Sequence, residues 1–282
     1  MLKQRIITAL ILAPLVIAGI FLLPFPAFIA ALAVITLLGF WEWTQFLDTK
    51  SKWMAMLVPV AALGGTLAAM PTEPAALAAL ASSHQYMLLA GGLWWLSASA
   101  LTISYPRSTK LWSTSPSLKY LFGLLTLLPF FWSVLMLRAV QYTDNPYHGA
   151  KLVLLVCVLV WAADTGAYFS GKRFGKHKMA PAVSPNKTIE GLIGGALLAV
   201  LVTWGGAFVL DIPFVSVGSL LLIAVVTVIA SVMGDLVESM FKRVSGIKDS
   251  GNILPGHGGI LDRIDSLTAA LPVFALLYLW LV

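Results

Sequence analysis

Residues 215–233 read Val-Ser-Val-Gly-Ser-Leu-Leu-Leu-Ile-Ala-Val-Val-Thr-Val-Ile-Ala-Ser-Val-Met and contain no charged side chain. A membrane-spanning helix needs about 20 mostly apolar residues, so this stretch predicts one. Similar stretches recur along the whole chain of 282 residues, of which 59% are hydrophobic and 11% charged. A soluble domain usually carries about 25% charged residues. The composition therefore excludes disorder, argues against a water-soluble fold, and predicts an all-α polytopic integral membrane protein.

The same length criterion predicts nine membrane-spanning helices and leaves one segment ambiguous. The alanine-rich stretch 75–81 is either a short tenth helix or part of an outer loop. The nine predicted spans are 6–23, 27–46, 54–70, 87–103, 120–140, 152–170, 189–210, 215–233 and 267–282.

The basic residues indicate an orientation in the membrane. With the N-terminus inside, every Lys and Arg except Arg138 and Lys151 falls on an inner segment. Cytoplasmic loops carry such an excess, so we expect a cytoplasmic N-terminus and a C-terminus on the outer side. Anionic lipid headgroups near these loops account for the net charge of +6, and no nucleic-acid partner is needed to explain it.

Acidic residues are concentrated in the second part of the chain. Eight of the twelve Asp and Glu residues lie between positions 164 and 265. We therefore interpret residues 1–282 as one membrane domain, in which 1–150 is mainly a helical scaffold and 151–282 is the catalytic half.

The last inner loop carries the densest set of charges. If the eighth span continues as a helix beyond residue 233, Asp235, Glu238 and Lys242 lie on one helix face. Asp262 and Asp265 then open the ninth span one helical turn apart. Carboxylates from two helix ends among basic residues suit a magnesium ion that bridges a polyphosphate. The alternative is a solvated loop with helix-capping aspartates, since acids favour first turns.

Three further features of the sequence are candidates for function. The glycine-rich turn 256–259 exposes backbone N–H groups to phosphate oxygens. Lys187, at the start of the seventh span, forms an anion cradle with the helix amides, or else belongs to an ordinary N-cap. Asp164 lies inside an apolar span, where an unpaired carboxylate is costly, so it is either functional or paired with a residue such as Lys187. Glu42, near the inner end of the second span, suggests capping or pairing.

The residues alone leave another class of protein open. This class is a transporter in which Asp164 and Asp235 relay ions, although a transporter keeps its ion site near the membrane midplane.

The last loop resembles the signature of phosphatidate cytidylyltransferases, also called CDP-diglyceride synthases. The similar positions are Ser239-Met240-Phe241-Lys242-Arg243, Lys248-Asp249, His257-Gly258-Gly259 and Asp262-Arg263-Ile264-Asp265. The resemblance to bacterial members covers the whole chain, including Trp41-Glu42-Trp43, Asp164-Thr165-Gly166-Ala167-Tyr168 and Ser184-Pro185-Asn186-Lys187-Thr188.

This resemblance implies that CTP and phosphatidic acid react to give CDP-diacylglycerol and pyrophosphate. The alternative with the same nucleotide is another CTP-dependent lipid enzyme, such as a polyprenol kinase. It also implies Mg²⁺ held by Asp235 and Asp262, a helper cation such as K⁺, a homodimer, and a bacterial inner (cytoplasmic) membrane enzyme whose site faces the cytoplasm. The expected catalytic residues are Asp235, Asp262, Lys187, Asp164 and Asp265. The expected substrate- or phosphate-binding residues are Ser184, Asn186, Lys187, Lys242, Arg243, Lys248, Asp249, His257, Gly258, Gly259 and Arg263.

Overall fold

The fold was obtained as a computed structural model, which describes residues 2–47, 49–83, 86–254, 256 and 258–282. These residues form eleven α-helices, one 3₁₀ turn and one two-stranded hairpin. The helices are α1 Leu2–Leu22, α2 Phe25–Trp43, α3 Lys52–Ala69, α4 Pro74–Ser83, α5 Tyr86–Ile103, α6 Thr109–Trp112, α7 Pro116–Ala139, α8 His148–Phe174, α9 Ile189–Val209, α10 Val217–Val244 and α11 Leu261–Leu281. The 3₁₀ turn is Thr44–Phe46, and the strands are β1 Lys178–Ala180 and β2 Ser184–Thr188.

The predicted all-α polytopic membrane fold is confirmed. Each of the nine predicted spans corresponds to a helix, and eight helices in the described part of the chain are long and apolar enough to cross a membrane. The first helix contributes a shorter apolar stretch, Leu10–Leu22. The ambiguous segment 75–81 lies in α4, which is a helix of ten residues with Leu77 fully buried. The orientation of the termini and the division of the chain at residue 150 stay predictions.

Helix α10 continues well past the apolar stretch that predicts it. It begins with a capping box between Ser216 and Ser219 and ends at Val244, with Lys242 and Arg243 in its last turn. Basic side chains near a helix C-terminus interact favourably with the helix dipole. Because the helix is continuous, Asp235, Glu238 and Lys242 lie near one another on the same helix, as the i, i+3 and i+4 spacing predicts.

A small antiparallel hairpin joins α8 to α9, and the apolar pattern did not predict it. Lys178 of β1 is paired with Thr188 of β2. Thr188 is also the N-cap of α9, since its side chain accepts a hydrogen bond from the amide of Gly191 at 3.1 Å. Glu190, in the first turn of α9, accepts a hydrogen bond from the amide of Lys176 at 3.1 Å. These contacts hold Lys187 beside the N-terminus of α9.

Glycines allow the helices that carry the polar residues to pack closely. A Cβ atom on Gly166 of α8 would lie 2.8 Å from the carbonyl oxygen of Gly194 in α9. A Cβ on Gly195 would lie 2.5 Å from the carbonyl oxygen of Ala163. Similarly, a Cβ on Gly234 of α10 would lie 2.6 Å from the carbonyl oxygen of Asp265 in α11. Small residues at helix contacts are typical of membrane proteins, and here they bring acidic and basic side chains of different helices together.

Helix α7 has mostly buried side chains, and α2, α4, α5, α8 and α11 pack against it. Phe131, Trp132 and Leu135 of this helix have no exposed surface. Large apolar side chains on α3 and α9 are exposed instead, as expected for surfaces that face lipid.

We predict that Gly195→Ala destabilises the protein by about 1–3 kcal/mol, because the added methyl group overlaps the backbone of α8. Gly205→Ala is the matched control on the same helix, since a Cβ there meets no atom within 4 Å. Thermal unfolding in detergent measures both variants. Equal melting temperatures would show that α8 and α9 tolerate a wider separation than the structure has.

Candidate functional site

Polar side chains gather where the C-terminal parts of α2, α8 and α10 meet the N-terminal ends of α9 and α11. They form two ion-paired groups, one around Lys187 and one around Lys242, and a capping network around Glu42.

The first group lines a cavity of about 240 Å³ between α8, β2, α9 and α10. Asp164, Asn186, Lys187 and Asp235 contribute polar groups to its wall. The ammonium group of Lys187 lies 2.7 Å from Oδ2 of Asp235, and both side chains are partly exposed. Asp164 interacts electrostatically with Lys187 and with Arg263. The structure thus brings an intramembrane acid, a lysine from a strand end and an acid from α10 to one opening.

The second group centres on Lys242 of α10. Its ammonium group lies 2.8 Å from Oδ1 of Asp262 and 3.4 Å from Oε1 of Glu238. The other oxygen of Asp262 accepts hydrogen bonds from the amides of Ser250, at 2.9 Å, and Gly259, at 2.8 Å. Asp262 therefore both binds a lysine and holds the loop that precedes α11, so the capping alternative describes part of its role.

The glycine-rich turn next to Asp262 needs its glycines. Gly258 has a φ of +80°, a backbone conformation that residues other than glycine rarely adopt. A Cβ on Gly258 would also lie 2.6 Å from Oδ2 of Asp262. The predicted contact from His257 lies outside the described residues.

Acidic groups outnumber basic groups in the interior of the site. Glu238 is 4% exposed, and neither of its carboxylate oxygens has a hydrogen-bond partner in the described part of the chain. Asp265 interacts electrostatically with Asp235, Glu238 and Lys242. Lys242 interacts with both Glu238 and Asp265. Since buried carboxylates are costly unless paired, this excess of acidic groups is suited to an additional cation, or to a proton shared between the interacting side chains of Glu238 and Asp265.

Glu42 of α2 caps the N-terminus of α11, across 219 positions of sequence. One of its oxygens accepts a hydrogen bond from the amide of Ile260 at 2.9 Å, and the other accepts one from the amide of Leu261 at 2.7 Å. The hydroxyl of Ser250 donates to the same carboxylate at 3.1 Å and accepts from the amide of Asp262 at 3.2 Å. The interpretation of Glu42 as a cap is thus correct, and its partner is the helix that carries Asp262 and Asp265.

Other residues expected at the site lie around these groups. Arg243 donates from Nε to the carbonyl oxygen of Val183 at 3.1 Å, which ties α10 to the hairpin turn. Ser184 pairs with Ala180 in the hairpin, and Lys248 is exposed. Asp249 lines a second cavity, on the Glu42 side of the site.

The side chains that could donate oxygen atoms determine whether this site can hold a metal ion. In the described residues, no group of three or more His, Cys, Asp or Glu side chains is arranged to hold a metal by itself. Mg²⁺ is usually bound by one or two carboxylates together with water and substrate phosphates, so a complete protein cage is not required. The surplus of acidic side chains around Lys242, with the carboxylate of Glu238 accepting no hydrogen bond in the described residues, fits such an ion.

We predict that Glu42→Ala lowers the free energy of unfolding by about 3 kcal/mol, because a charged acceptor of three hydrogen bonds is lost. Glu42→Gln, which keeps one carbonyl acceptor, is expected to lose less. Melting temperatures in detergent measure the change, with Glu73→Gln, an exposed acid outside the site, as the control. A stability of Glu42→Ala equal to that of the control would contradict the capping role.

The chain is similar to a known protein family over nearly its whole length. The family model described as the cytidylyltransferase family matches residues 3–281. The chain is 45% identical to a phosphatidate cytidylyltransferase of Haemophilus influenzae over 99% of each protein. It is 43% identical to the phosphatidate cytidylyltransferase of Pseudomonas aeruginosa, over 99% of this chain and 97% of that protein. It is also 46% identical to a Staphylococcus epidermidis protein of the same name, over 48% of this chain and 52% of that one.

Proposed function

The chain belongs to the cytidylyltransferase family, and we propose that it transfers the cytidylyl group of CTP to phosphatidic acid, which gives CDP-diacylglycerol and pyrophosphate. The observation that carries this proposal is the pairing of Lys187 with Asp235 and of Lys242 with Asp262 at the same end of an apolar helix bundle. Such a site offers cations to phosphate groups beside a membrane that contains the lipid substrate.

The reaction joins two anions. An oxygen of the lipid phosphate forms a bond to the α-phosphorus of CTP, and the bond from that phosphorus to the bridging oxygen of the β-phosphate breaks. Phosphoryl and nucleotidyl transfer need positioning and neutralisation of charge more than covalent help. A phosphate monoester, with a second pKa of ~6, is already ionised near neutral pH, so no strong general base is required.

The basic residues of the site are suited to this task. Lys187 opens onto the cavity that also contains Asp164 and Asp235, and Arg263 is close enough to act on Asp164. We propose that Lys187 and Arg263 bind one phosphate chain and that Lys242 binds the other. Each lysine is paired with a carboxylate in the present structure, so a phosphate oxygen replaces that carboxylate when substrate binds.

We propose that Asp235 and Asp262 hold Mg²⁺, and that Asp164 and Asp265 act beside them. When bound, the ion neutralises phosphate charge and stabilises the pyrophosphate that leaves. The surplus of acids around Glu238 supports a cation here. The helper K⁺ ion, the homodimer and the inner-membrane location are further parts of the proposal. The cytoplasmic orientation of the site is another part, and it agrees with the distribution of Lys and Arg.

The function is tested with purified protein in detergent micelles, CTP labelled at its α-phosphate, and phosphatidic acid. We expect labelled CDP-diacylglycerol and release of pyrophosphate, and we expect EDTA to abolish both. A phosphorylated lipid with release of CDP would identify a kinase such as a polyprenol kinase instead. Ion uptake by proteoliposomes without nucleotide turnover would identify a transporter.

We predict that Asp262→Asn lowers the turnover number at least 100-fold, because it removes the charge that pairs with Lys242 and is proposed to hold the metal. The same assay measures turnover, and thermal unfolding checks that the variant is folded. Asp144→Asn, an exposed acid in the turn between α7 and α8, is the matched control. Turnover of folded Asp262→Asn within a few fold of the control would remove Asp262 from the mechanism.

Lys187→Ala separates phosphate binding from helix capping. Because Thr188, and not Lys187, caps α9, we expect a loss of kcat/KM of roughly 100-fold with little change in melting temperature. Lys110→Ala, which removes an exposed lysine from α6, is the control. A lower melting temperature with unchanged specific activity would make Lys187 a structural residue.

A further inference from the structure

A second polar cavity lies beside the loop that precedes α11. It has a volume of about 280 Å³ and is lined by Trp41, Glu42, Gln45, Lys52, Asp249, Gly251, Asn252 and Ile253. None of these residues lines the cavity that contains Asp164, Lys187 and Asp235. The reaction chemistry described above makes no use of this space, so it is available for another part of a substrate.

The position of this cavity relative to the phosphate-binding groups is defined by Ser250. The amide of Ser250 donates to Asp262, and its two chain neighbours, Asp249 and Gly251, both line the cavity. The carboxylate of Glu42, which accepts from the hydroxyl of Ser250, also lies in the wall. A nucleotide whose phosphates lie at Lys242 and Asp262 therefore has this cavity within reach of its base.

The lining has the chemistry of a pyrimidine-binding site. Cytosine presents an amino group that donates, next to ring and carbonyl atoms that accept, and carboxylates are its usual acceptors in proteins. Asp249 is an exposed carboxylate on this wall, and Asn252 and Gln45 carry amides that can donate and accept. Trp41 supplies an aromatic surface, and aromatic side chains bind bases by stacking. The side chain of Gln45 is held in place because it donates to the carbonyl oxygen of Ser250.

We propose that this cavity binds the cytosine ring of CTP, with Asp249 accepting a hydrogen bond from the 4-amino group and Trp41 packing against the ring. The proposal rests on the proposed function and deepens it, because it assigns the choice of nucleotide to particular residues. Uracil carries an oxygen in place of the amino group, so the carboxylate of Asp249 repels it. Rejection of UTP by an unpaired acceptor is a common source of specificity.

A membrane-anchoring role is the alternative for the aromatic part of this surface. Trp41 lies 4.8 Å from the ring of Trp53, measured between centroids, and the ammonium group of Lys52 lies 5.9 Å from the Trp41 ring. Tryptophan and lysine often occur together at the membrane interface. This alternative predicts no dependence of Trp41 or Asp249 variants on the identity of the nucleotide.

The test compares CTP as substrate with UTP as competitive inhibitor, in the detergent assay with phosphatidic acid. For Trp41→Ala we expect the KM for CTP to rise roughly tenfold, with a smaller change in kcat. For Asp249→Asn we expect the preference for CTP over UTP to fall roughly tenfold. Trp204→Ala, which removes an exposed tryptophan from α9, and Asp144→Asn are the matched controls.

The outcomes separate this proposal from the proposed function. Absence of CDP-lipid from the unmodified protein would overturn the function itself. An active protein in which both folded variants keep the CTP affinity and the CTP-to-UTP preference of the controls would overturn the cytosine site alone. If Trp41→Ala does not fold, Asn252→Leu replaces it, because Asn252 is exposed and the change removes only the polar lining. An unchanged KM for CTP in Asn252→Leu, together with an unchanged preference in Asp249→Asn, then counts against the site.

Discussion

The carboxylate of Glu42 is the contact on which the arrangement of the site depends. It is 1% exposed, and it accepts hydrogen bonds from two backbone amides at the start of α11 and from the hydroxyl of Ser250. A buried carboxylate is unfavourable unless such donors surround it, and the amides at a helix N-terminus are well placed to do so. Because the same contacts position the backbone before Asp262, an acid of the second helix determines where the acids of the last helix lie.

This contact also explains the glycines of the last loop. A Cβ atom on Gly251 or on Gly259 would overlap the carboxylate of Glu42. The loop can therefore approach Glu42 closely only where it lacks side chains. The sequence pattern alone suggests that the turn 256–259, which includes Gly259, exposes amides to phosphate. In the structure, the amide of Gly259 donates a hydrogen bond to the carboxylate of Asp262. This amide is therefore already paired within the protein in the absence of phosphate.

The lengths of apolar stretches were sufficient to predict the membrane helices, because a helix must be long enough to cross the bilayer and must be apolar throughout. The cost of an unpaired charge inside an apolar span singled out Asp164. Lys187 was singled out by its place at a helix start and Asp235 by the charge cluster of the last inner loop. The structure brings these three residues to one cavity, although it pairs Lys187 with Asp235 at the shortest distance. Asp164 is within electrostatic range of the same lysine.

Other features depended on contacts that the order of residues does not reveal. The partner of Glu42 lies 219 positions away. The sequence around a capping acid does not indicate which helix it caps when that helix is distant in the chain. The hairpin of β1 and β2 is short and polar, so it has no apolar alternation to predict it. Glu238 follows the helical spacing of Asp235, but its lack of a hydrogen-bond partner depends on burial by neighbouring helices.

The balance of charge connects this architecture with its proposed chemistry. Unpaired lysines in a partly buried site would lower the stability of the protein, because a buried charge without a partner is unfavourable. Here Asp235 pairs with Lys187, and Asp262 pairs with Lys242. Under the proposed function, a bound polyphosphate would provide new partners for the lysines and release the two carboxylates. Carboxylates released in this way would need a cation, and proteins bind Mg²⁺ through one or two carboxylates together with substrate phosphates. Such an exchange would leave both lysines paired before and after binding, so the substrate would not have to overcome the full cost of desolvating them. A site with lysines alone would bind anions without selecting for the metal complex, whereas acids paired with the lysines would favour a nucleotide that carries a metal ion.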